Sequence, residues 1–183
     1  MTRPAGAAPE REHRIATYRA VFEEVINRGN FDVIPELFHP HFLLHSPVDD
    51  EPLRGHPGYR AFAERVRGGF PDVAITIHDV VLDGDVAVGR MTIEGTQTKP
   101  YMGIPPTGRR VKISQIVWGR FEGDRIAEAW QELNAIGLLL TLGAAPGGGV
   151  GPLGLIGWAL ATVGRFGFLQ ARYARRRRGE AAA

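Results

Sequence analysis

Several residue types and motifs are absent from this sequence, and each absence narrows the chemistry. The 183 residues include no cysteine, so disulfides, thiolate nucleophiles and cysteine-ligated metals are excluded. Neither the glycine-rich dinucleotide fingerprint nor the phosphate-binding P-loop occurs. Residues 1–10 have no apolar run behind a charge, so no secretory signal is expected there and a cytoplasmic location is the default.

The charge of the chain is divided unevenly between its two ends. Residues 144–183 carry six arginines and one glutamate, a net charge of +5, whereas the whole chain has +2. Residues 1–143 therefore carry −3. A mildly acidic body with a basic tail is not typical of a nucleic-acid-binding domain, so no nucleic-acid partner is predicted.

Hydrophobic spacing predicts three helices in the first part of the chain. The first covers 12–28, where apolar residues recur at helical spacing and Gly29 follows as a C-cap. A short helix is predicted over 31–38 and a third from about 56 to 67, with Tyr59, Phe62, Ala63 and Val66 pointing inward to the core. A short strand over 42–47 is expected between these two.

Two β-hairpins are predicted in the rest of the body. The strands cover 73–82, 86–96, 111–121 and 125–134. Gly84 and Gly123 lie in the connecting turns, where glycine supplies the positive φ angle of a tight hairpin. A loop over 97–110 with three prolines joins the hairpins. Helices followed by a meander predict an α+β fold, with a curved antiparallel sheet packed on the N-terminal helices.

A series of short motifs gives the body a more specific character. In chain order they are FHPHFLLH at 38–45, GFPD at 69–72, GTQT at 95–98, GIPPTGR at 103–109, FEGDRI at 121–126, EAW at 128–130 and LLLTLG at 138–143. Together they resemble the SnoaL-like polyketide cyclases, or ester cyclases, of the nuclear-transport-factor-2-like superfamily. The resemblance covers about 16–143 and implies a cone-shaped α+β domain over 12–143, with an apolar pocket and a homodimeric assembly.

The resemblance also implies a reaction. The sequence departs from the family pattern at the positions of the residues that carry out this reaction. Founding members close a polyketide ring by intramolecular aldol condensation without metal or cofactor. Their acid/base aspartate lies four residues after the tryptophan, which corresponds to Asn134 here. Two histidines of the family correspond to Gln97 and Ala129. An amide cannot transfer a proton, so the resemblance implies a hydrogen-bonding pocket more directly than aldol catalysis.

The remaining candidates for catalysis are His45, Glu132 and Asn134. His45 ends the first predicted strand and matches a strand histidine of the family; imidazole titrates near neutral pH. Glu132 shares strand parity with Asn134 and Trp130, which makes it the best remaining carboxylate for proton transfer. The alternatives are a histidine bonded to a backbone carbonyl and a solvent-exposed strand glutamate.

The candidates for ligand binding are Gln97, Tyr101, Gln115, Trp118 and Trp130. Gln115 lies between Ile113 and Val117, so a polar group is expected on an apolar face. Gln97 and Tyr101 belong to the proline-rich loop, which is placed to cover a pocket mouth or simply needs anchoring side chains. Trp130 fits either the core or the pocket wall. No metal site is predicted, because His39 and His41 have no third ligand nearby in sequence.

The C-terminal tail differs in composition from the body. Residues 144–152 resemble a Gly/Pro linker, and 153–183 form an apolar and then basic helical tail, whereas 1–11 are expected to be disordered. The apolar stretch is short for a spanning helix, so a helix on a membrane surface, with contact through 153–178, is favoured. Packing on the body or on a second subunit is the alternative.

Two functional hypotheses follow. The first is a cofactor-independent cyclase, isomerase or hydroxylase-type enzyme acting on a hydrophobic carbonyl compound such as a polyketide. In it His45 or Glu132 transfers protons, and Asn134, Gln97 and Gln115 orient carbonyl groups. The second is a module that binds a hydrophobic ligand without turnover and is held at a membrane by its tail.

Overall fold

The computed structural model describes residues 7–147 and 151–180. In chain order the elements are α1 (Ala7–Ala20), a π-helical segment (Val21–Arg28), α2 (Ile34–Leu37), β1 (Phe38–His45), β2 (Leu53–Arg54), α3 (Gly55–Gly69), β3 (Ala74–Asp83), β4 (Val86–Thr96), β5 (Arg110–Glu122), β6 (Arg125–Leu133), α4 (Ala135–Leu142) and α5 (Pro152–Glu180). The predicted α+β class is confirmed, with helices packed on one curved, open sheet and a further helix at the C-terminal end.

The sheet has six strands in the order β2-β1-β6-β5-β4-β3. Both predicted hairpins form, and their turns contain Gly84 and Gly123 with φ of 60° and 62°. One pair differs from the predicted antiparallel arrangement. β1 lies parallel to β6, with His45 opposite Trp130, because the chain makes its long connection from β1 to β6 through α3 and the other strands.

The N-terminal helices differ from the prediction mainly at their ends. α1 begins at Ala7, before the predicted start, and the chain then continues as the π-helical segment. Gly29 ends that segment with φ of 74°, and its N–H donates to the Glu24 carbonyl. The predicted second helix is shorter, since β1 already begins at Phe38. Its four residues supply Ile34 and Leu37 to the core.

Alternation along the strands divides the sheet into an inner and an outer face. In β5 the buried residues Val111, Ile113, Gln115 and Val117 alternate with exposed residues. The inner face packs against α1, the π-helical segment and α3. Four aromatic side chains pack together between β1 and α3; they are Phe38, Phe42, Tyr59 and Phe62. The core therefore lies between the sheet and the helices.

The C-terminal helix α5 lies against the body at a few points. Phe166 packs against the core, and the Arg165 guanidinium donates to the Gly143 carbonyl. The 23 residues Leu153–Arg175 are long and apolar enough to cross a membrane by length and composition, which is a weak criterion for a single helix. Parts of the predicted linker and of the predicted disordered N-terminus, 148–150 and 1–6, lie outside the described residues.

Candidate functional site

A cavity lies between the inner face of the sheet and the helices. About 80 Å³ inside it is accessible to the centre of a water molecule, and its mouth is open to solvent. Aliphatic and aromatic side chains from β1, β3, β4, β5, β6, α1 and α3 make most of its wall. Such a lining is typical of sites for small apolar molecules, in which a few polar groups fix the orientation of the ligand.

Two glutamines form the first polar group in this wall. Gln115 on β5 and Gln131 on β6 are only 4% and 7% exposed. The Gln131 amide Nε2 donates to Gln115 Oε1 over 2.9 Å, and Gln115 Nε2 lies 3.5 Å from the sulfur of Met91. In the described part of the chain, Gln131 Oε1 receives no hydrogen bond. This oxygen is therefore an available acceptor at the cavity wall.

Three tyrosines add hydroxyl groups to the same wall. Tyr18 is fixed, because its hydroxyl donates to the Val117 carbonyl over 2.7 Å. The hydroxyls of Tyr59 and Tyr101 make no hydrogen bond with any described residue, although these side chains are only 4% and 8% exposed. Burial raises the pKa of all three phenols above their usual value. Tyr59 and Tyr101 therefore stay protonated and can donate to a ligand oxygen.

Ionisable acid/base groups are nearly absent from this lining. Among the described residues that line the cavity, Glu94 is the only carboxylate and there is no histidine. Its carboxylate is paired with Lys112 at 2.7 Å and Arg110 at 3.1 Å. Hydrogen bonds from these two cations, Lys112 first, hold the pKa of Glu94 below its usual value. The pairing partners extend from β5 on the outer face, so Glu94 is not poised to exchange a proton inside the cavity.

The structure places His45, Trp118 and Trp130 together, but on the outer face of the sheet. The His45 ring stacks on Trp130 with centroids 4.7 Å apart, and Trp118 meets Trp130 edge to face at 4.5 Å. None of the three lines the cavity. Since Ala129, Gln131 and Leu133 face the cavity, strand alternation directs Trp130 to the opposite side. The pocket roles predicted for these three residues do not fit this geometry.

Sequence reasoning missed the hydrogen-bonded charged groups, Glu128 and Arg120, that lie next to this aromatic cluster. His45 Nε2 lies 2.9 Å from Glu128 Oε1, and an Arg120 nitrogen lies 3.0 Å from Glu128 Oε2. The hydrogen bond from His45, followed by that from Arg120, lowers the pKa of Glu128. His45 is thus engaged with a carboxylate of the neighbouring strand, which neither the catalytic reading nor the backbone-carbonyl alternative anticipated.

Asn134 and Glu132 also lie outside the cavity. Asn134 is the N-cap of α4, and its side-chain oxygen accepts a 2.8 Å hydrogen bond from the Gly137 N–H. Both residues are exposed. Glu132 has the outward parity of Trp130, so the predicted proton transfer inside a pocket has no support from its position. The amide at 134 instead performs a local structural task, for which asparagine is among the preferred residues.

Gln97 and Tyr101, the two candidates from the proline-rich loop, have different environments in the structure. Gln97 is fully buried, and it donates to the Ile104 carbonyl and accepts from the N–H and hydroxyl of Thr107. It therefore fixes the shape of the proline-rich loop, as the anchoring alternative expected. Tyr101 lines the cavity and packs edge to face on Phe70, with ring centroids 5.1 Å apart. Tyr101 and Gln115 are the predicted site residues that reach the cavity.

Two cavity residues, Tyr59 and Gln131, were not predicted as site residues. Gln131 alternates with Ala129 and Leu133, so a count of strand parity from β6 was the available signal. Tyr59 was expected to point inward from its helix, but helical spacing does not say whether a hydroxyl meets a partner or a void. In the described residues no group of three or more His, Asp or Glu side chains is placed to hold a metal ion; the absence of a metal or cofactor stays a prediction.

Comparison with known proteins identifies the family and supports the fold. The family model described as SnoaL-like polyketide cyclase matches residues 16–142. TsrD from Streptomyces laurentii is 30% identical, with 75% of this chain and 98% of that chain covered and a TM-score of 0.64. IdmH from Streptomyces antibioticus, a polyketide-cyclase candidate, is 28% identical over 71% of this chain and 98% of its own, with a TM-score of 0.63.

A third structure supports the fold alone. The SnoaL-like polyketide-cyclase candidate from Jannaschia sp. CCS1 is 22% identical over 74% of this chain and 94% of its own, with a TM-score of 0.68. None of the curated proteins shows significant sequence similarity to the chain. The matched part corresponds to the body, and α5 lies beyond the family model.

Proposed function

The chain belongs to the SnoaL-like polyketide cyclase family, and from this premise we propose that it binds a largely apolar, carbonyl-containing small molecule in its cavity. The cavity supports this proposal because its apolar wall carries neutral hydrogen-bonding groups whose capacity the protein leaves unused. Tyr59 and Tyr101 supply donors, and Gln131 supplies an acceptor. The two hydroxyls are not among the fully enclosed polar atoms that lack a partner, so an oxygen of a bound ligand can accept a hydrogen bond from each.

The chemistry of the wall also restricts the ligand. A charged ligand would lose its hydration in an apolar cavity whose one carboxylate among the described lining residues, Glu94, is already paired with two cations, and this loss is unfavourable. A neutral ring system with carbonyl and hydroxyl substituents loses little hydration free energy on transfer into the cavity. Its carbonyl groups can accept from the tyrosine hydroxyls, and its hydroxyl groups can donate to the Gln131 oxygen. Polyketide-like compounds have this composition, with flat rings to bury and several oxygens to hydrogen-bond. This makes them the ligand class that we propose.

Binding of a dihydroxyanthraquinone, measured by its fluorescence change and by thermal shift, tests the proposal. We expect Tyr59→Phe and Tyr101→Phe each to weaken binding about fivefold, since each removes one hydrogen bond of about 1 kcal/mol and keeps the ring. Tyr173→Phe on α5 is the matched control, because Tyr173 does not line this cavity. No binding, or equal affinity in all three variants, would contradict the proposal.

A second candidate function is cofactor-independent cyclisation of such a ligand. Two protonated phenols in an apolar wall can stabilise the negative charge that develops on a carbonyl oxygen as a new carbon–carbon bond forms. The cavity itself offers no free carboxylate or imidazole among its described lining residues. The substrate would therefore have to enolise readily, with the protein contributing orientation and hydrogen bonds. Family membership and the two phenol hydroxyls in the cavity lining favour this candidate.

Turnover and binding are separated by following an enolisable β-polyketone with and without the protein. If the protein acts as a cyclase, ring closure becomes faster than the spontaneous reaction, and Tyr59→Phe reduces this acceleration. His45→Ala and Glu132→Gln leave it unchanged, because these residues lie outside the cavity. Loss of turnover in His45→Ala or Glu132→Gln would overturn the assignment of the chemistry to this cavity.

The proposal also covers the location and the oligomeric state of the protein. We infer a cytoplasmic homodimer with a peripheral membrane contact through 153–178. Support for the dimer comes from the outer face of the sheet, where Ile116 is 48% exposed next to Trp118. Light scattering of the purified chain tests it, and Ile116→Glu should shift a dimer towards the monomer. A monomer at all concentrations would remove this part of the proposal.

A further inference from the structure

The helix α5 has two unlike faces, and the first of them is attached to the body. Its half-buried side chains follow helical spacing and are Trp158, Thr162, Arg165, Phe166, Leu169 and Tyr173. Phe166 packs against the core and Arg165 donates to the Gly143 carbonyl. Leu169 and Tyr173 border a groove shared with the proline-rich loop. These contacts fix which side of the helix points away from the protein.

The second face carries a row of exposed apolar side chains. Leu153, Ile156, Leu160 and Val163 recur at intervals of three and four residues and are 58–85% exposed. We call these four residues the apolar stripe. Residues at this spacing share one face of an α-helix. The described part of the chain places nothing over the stripe, and large exposed apolar patches on soluble proteins mark contact surfaces.

Charge indicates what the apolar stripe contacts. Residues 153–178 contain six arginines and no acidic residue. Arg172, Arg175 and Arg178 are exposed on the last turns of the helix. A second copy of α5 would bring another six arginines and no carboxylate from this segment to pair with them. An anionic membrane surface offers both partners at once, since acyl chains accept the stripe and headgroup phosphates accept the arginines.

The length of the apolar segment does not require a spanning helix. At about 1.5 Å per residue, the 23 residues Leu153–Arg175 extend for roughly 34 Å, close to the hydrocarbon thickness. Spanning would, however, detach Phe166 from the body and move Arg165 near the bilayer centre, where a charged residue is costly. A helix in the interface keeps its attached face on the protein and still buries the opposite face.

We propose that α5 lies in the plane of an anionic membrane surface, with the apolar stripe among the acyl chains and the exposed arginines on lipid headgroups. The inference rests on the peripheral contact proposed above, and it adds the helix face, the orientation and the lipid charge. It predicts that binding requires both parts of the helix. Removing the stripe or the positive charge should each weaken association with vesicles.

Flotation of the full chain with vesicles tests this arrangement. Vesicles of phosphatidylcholine with about one-third phosphatidylglycerol should bind on the order of 100-fold more tightly than pure phosphatidylcholine vesicles, and high salt should reduce the difference. Leu160→Glu with Val163→Glu should weaken binding about 10- to 100-fold. Arg175→Glu with Arg178→Glu should remove the preference for anionic lipid. Val81→Glu is the control, as Val81 is 63% exposed on β3.

The other arrangements give different results. A spanning helix would resist extraction by alkaline carbonate, whereas an interfacial helix is released; resistance overturns the proposal. If the stripe variant loses a dimer but keeps full vesicle binding, a second copy occupies the stripe and the proposal fails. Equal binding to both vesicle types would overturn the proposed preference for anionic lipid, although the peripheral membrane contact itself would still stand. Dihydroxyanthraquinone binding by the same variants reports folding and tests the cavity function separately.

Discussion

The Gln131 side-chain amide donates a 2.9 Å hydrogen bond to the side-chain carbonyl of Gln115 across β5 and β6. The two residues are diagonal neighbours, because Gln115 pairs with Leu133 and Gln131 pairs with Val117 in the strand register. Diagonal pairs on one face of a sheet are close enough for long side chains to meet. The bond therefore depends on the register of the hairpin and brings two amides to an apolar wall.

This pair predicts a non-additive effect on stability. Gln131→Leu leaves Gln115 Oε1 buried without its donor, so the free energy of unfolding should fall by about 1–3 kcal/mol. Gln115→Leu with Gln131→Leu removes both partners, and the double variant should be more stable than the single Gln131→Leu variant. Urea denaturation of the four proteins measures this cycle. If the double variant loses as much free energy of unfolding as the two single variants together, and both single losses are large, the interpretation is wrong.

A second prediction concerns Gly89 on β4, which lies under the ring of Tyr18. A Cβ atom at Gly89 would be 2.7 Å from Tyr18 Cε1 and 2.8 Å from its hydroxyl. Because the ring is buried and its hydroxyl is bonded to Val117, it cannot move aside easily. Gly89→Ala should lower the free energy of unfolding by about 1–3 kcal/mol through overpacking.

Gly119 on β5 provides the matched control for Gly89. It touches the other side of the same ring, but a Cβ atom there would be 3.4 Å from Tyr18 Cε2, which is ordinary contact. Thermal denaturation should therefore show a clearly larger loss for Gly89→Ala than for Gly119→Ala. Equal losses would mean that a general strand effect, rather than contact with Tyr18, determines the cost.

The fold was predictable because its local signals are strong and agree with one another. Glycines at 29, 84 and 123 take the positive φ angles that the sequence assigned to them. The parallel pairing of β1 with β6 was not predictable from these signals, since strand direction depends on a long-range connection. The boundaries of α2 and β1 were also missed, because an extended Phe38 pairs with Ile126 far along the chain.

The site was less predictable than the fold, for reasons that particular residues make clear. Matching to a family pattern found Gln97 and Asn134, but hydrogen bonds to Thr107 and Gly137 give these side chains local structural tasks. His45 was chosen because it matches a strand histidine of the family, and Trp130 fitted either the core or the pocket wall, yet strand parity places both on the outer face. Tyr59 was assigned to the core, and only the three-dimensional packing leaves its hydroxyl at a cavity wall.

A third prediction concerns pH and Glu128. Its pKa is lower in the folded protein because His45 and Arg120 hydrogen-bond the carboxylate. The unfolded chain therefore binds the proton more tightly, so the stabilisation by Glu128 is present above its unfolded pKa and is lost as the pH falls through the folded pKa. Glu128→Gln should cost at most about 1 kcal/mol near neutral pH, as for a partly exposed ion pair.

Thermal denaturation between about pH 7 and pH 3 checks the sign of this effect. The difference between the natural protein and Glu128→Gln should be largest near neutral pH and shrink in acid. Glu132→Gln is the control, because Glu132 is exposed four residues further along the same strand face. A difference that does not shrink at the acid end of this range, where the carboxylate takes up its proton, would show that the ionised carboxylate does not stabilise the fold.

The last prediction separates the structural and catalytic interpretations of Asn134. Asn134→Ala removes the 2.8 Å cap on the Gly137 N–H and should lower the free energy of unfolding by about 1 kcal/mol. Asn134→Asp restores the carboxylate of the family pattern, keeps the cap and adds a negative charge at a helix N-terminus, so stability should match or exceed the natural protein. Since residue 134 does not line the cavity, Asn134→Asp should leave the rate of β-polyketone cyclisation unchanged. A rate increase in that variant, measured beside Asn134→Ala, would mean that the ligand reaches the start of α4 and that the reacting centre lies outside the cavity described above.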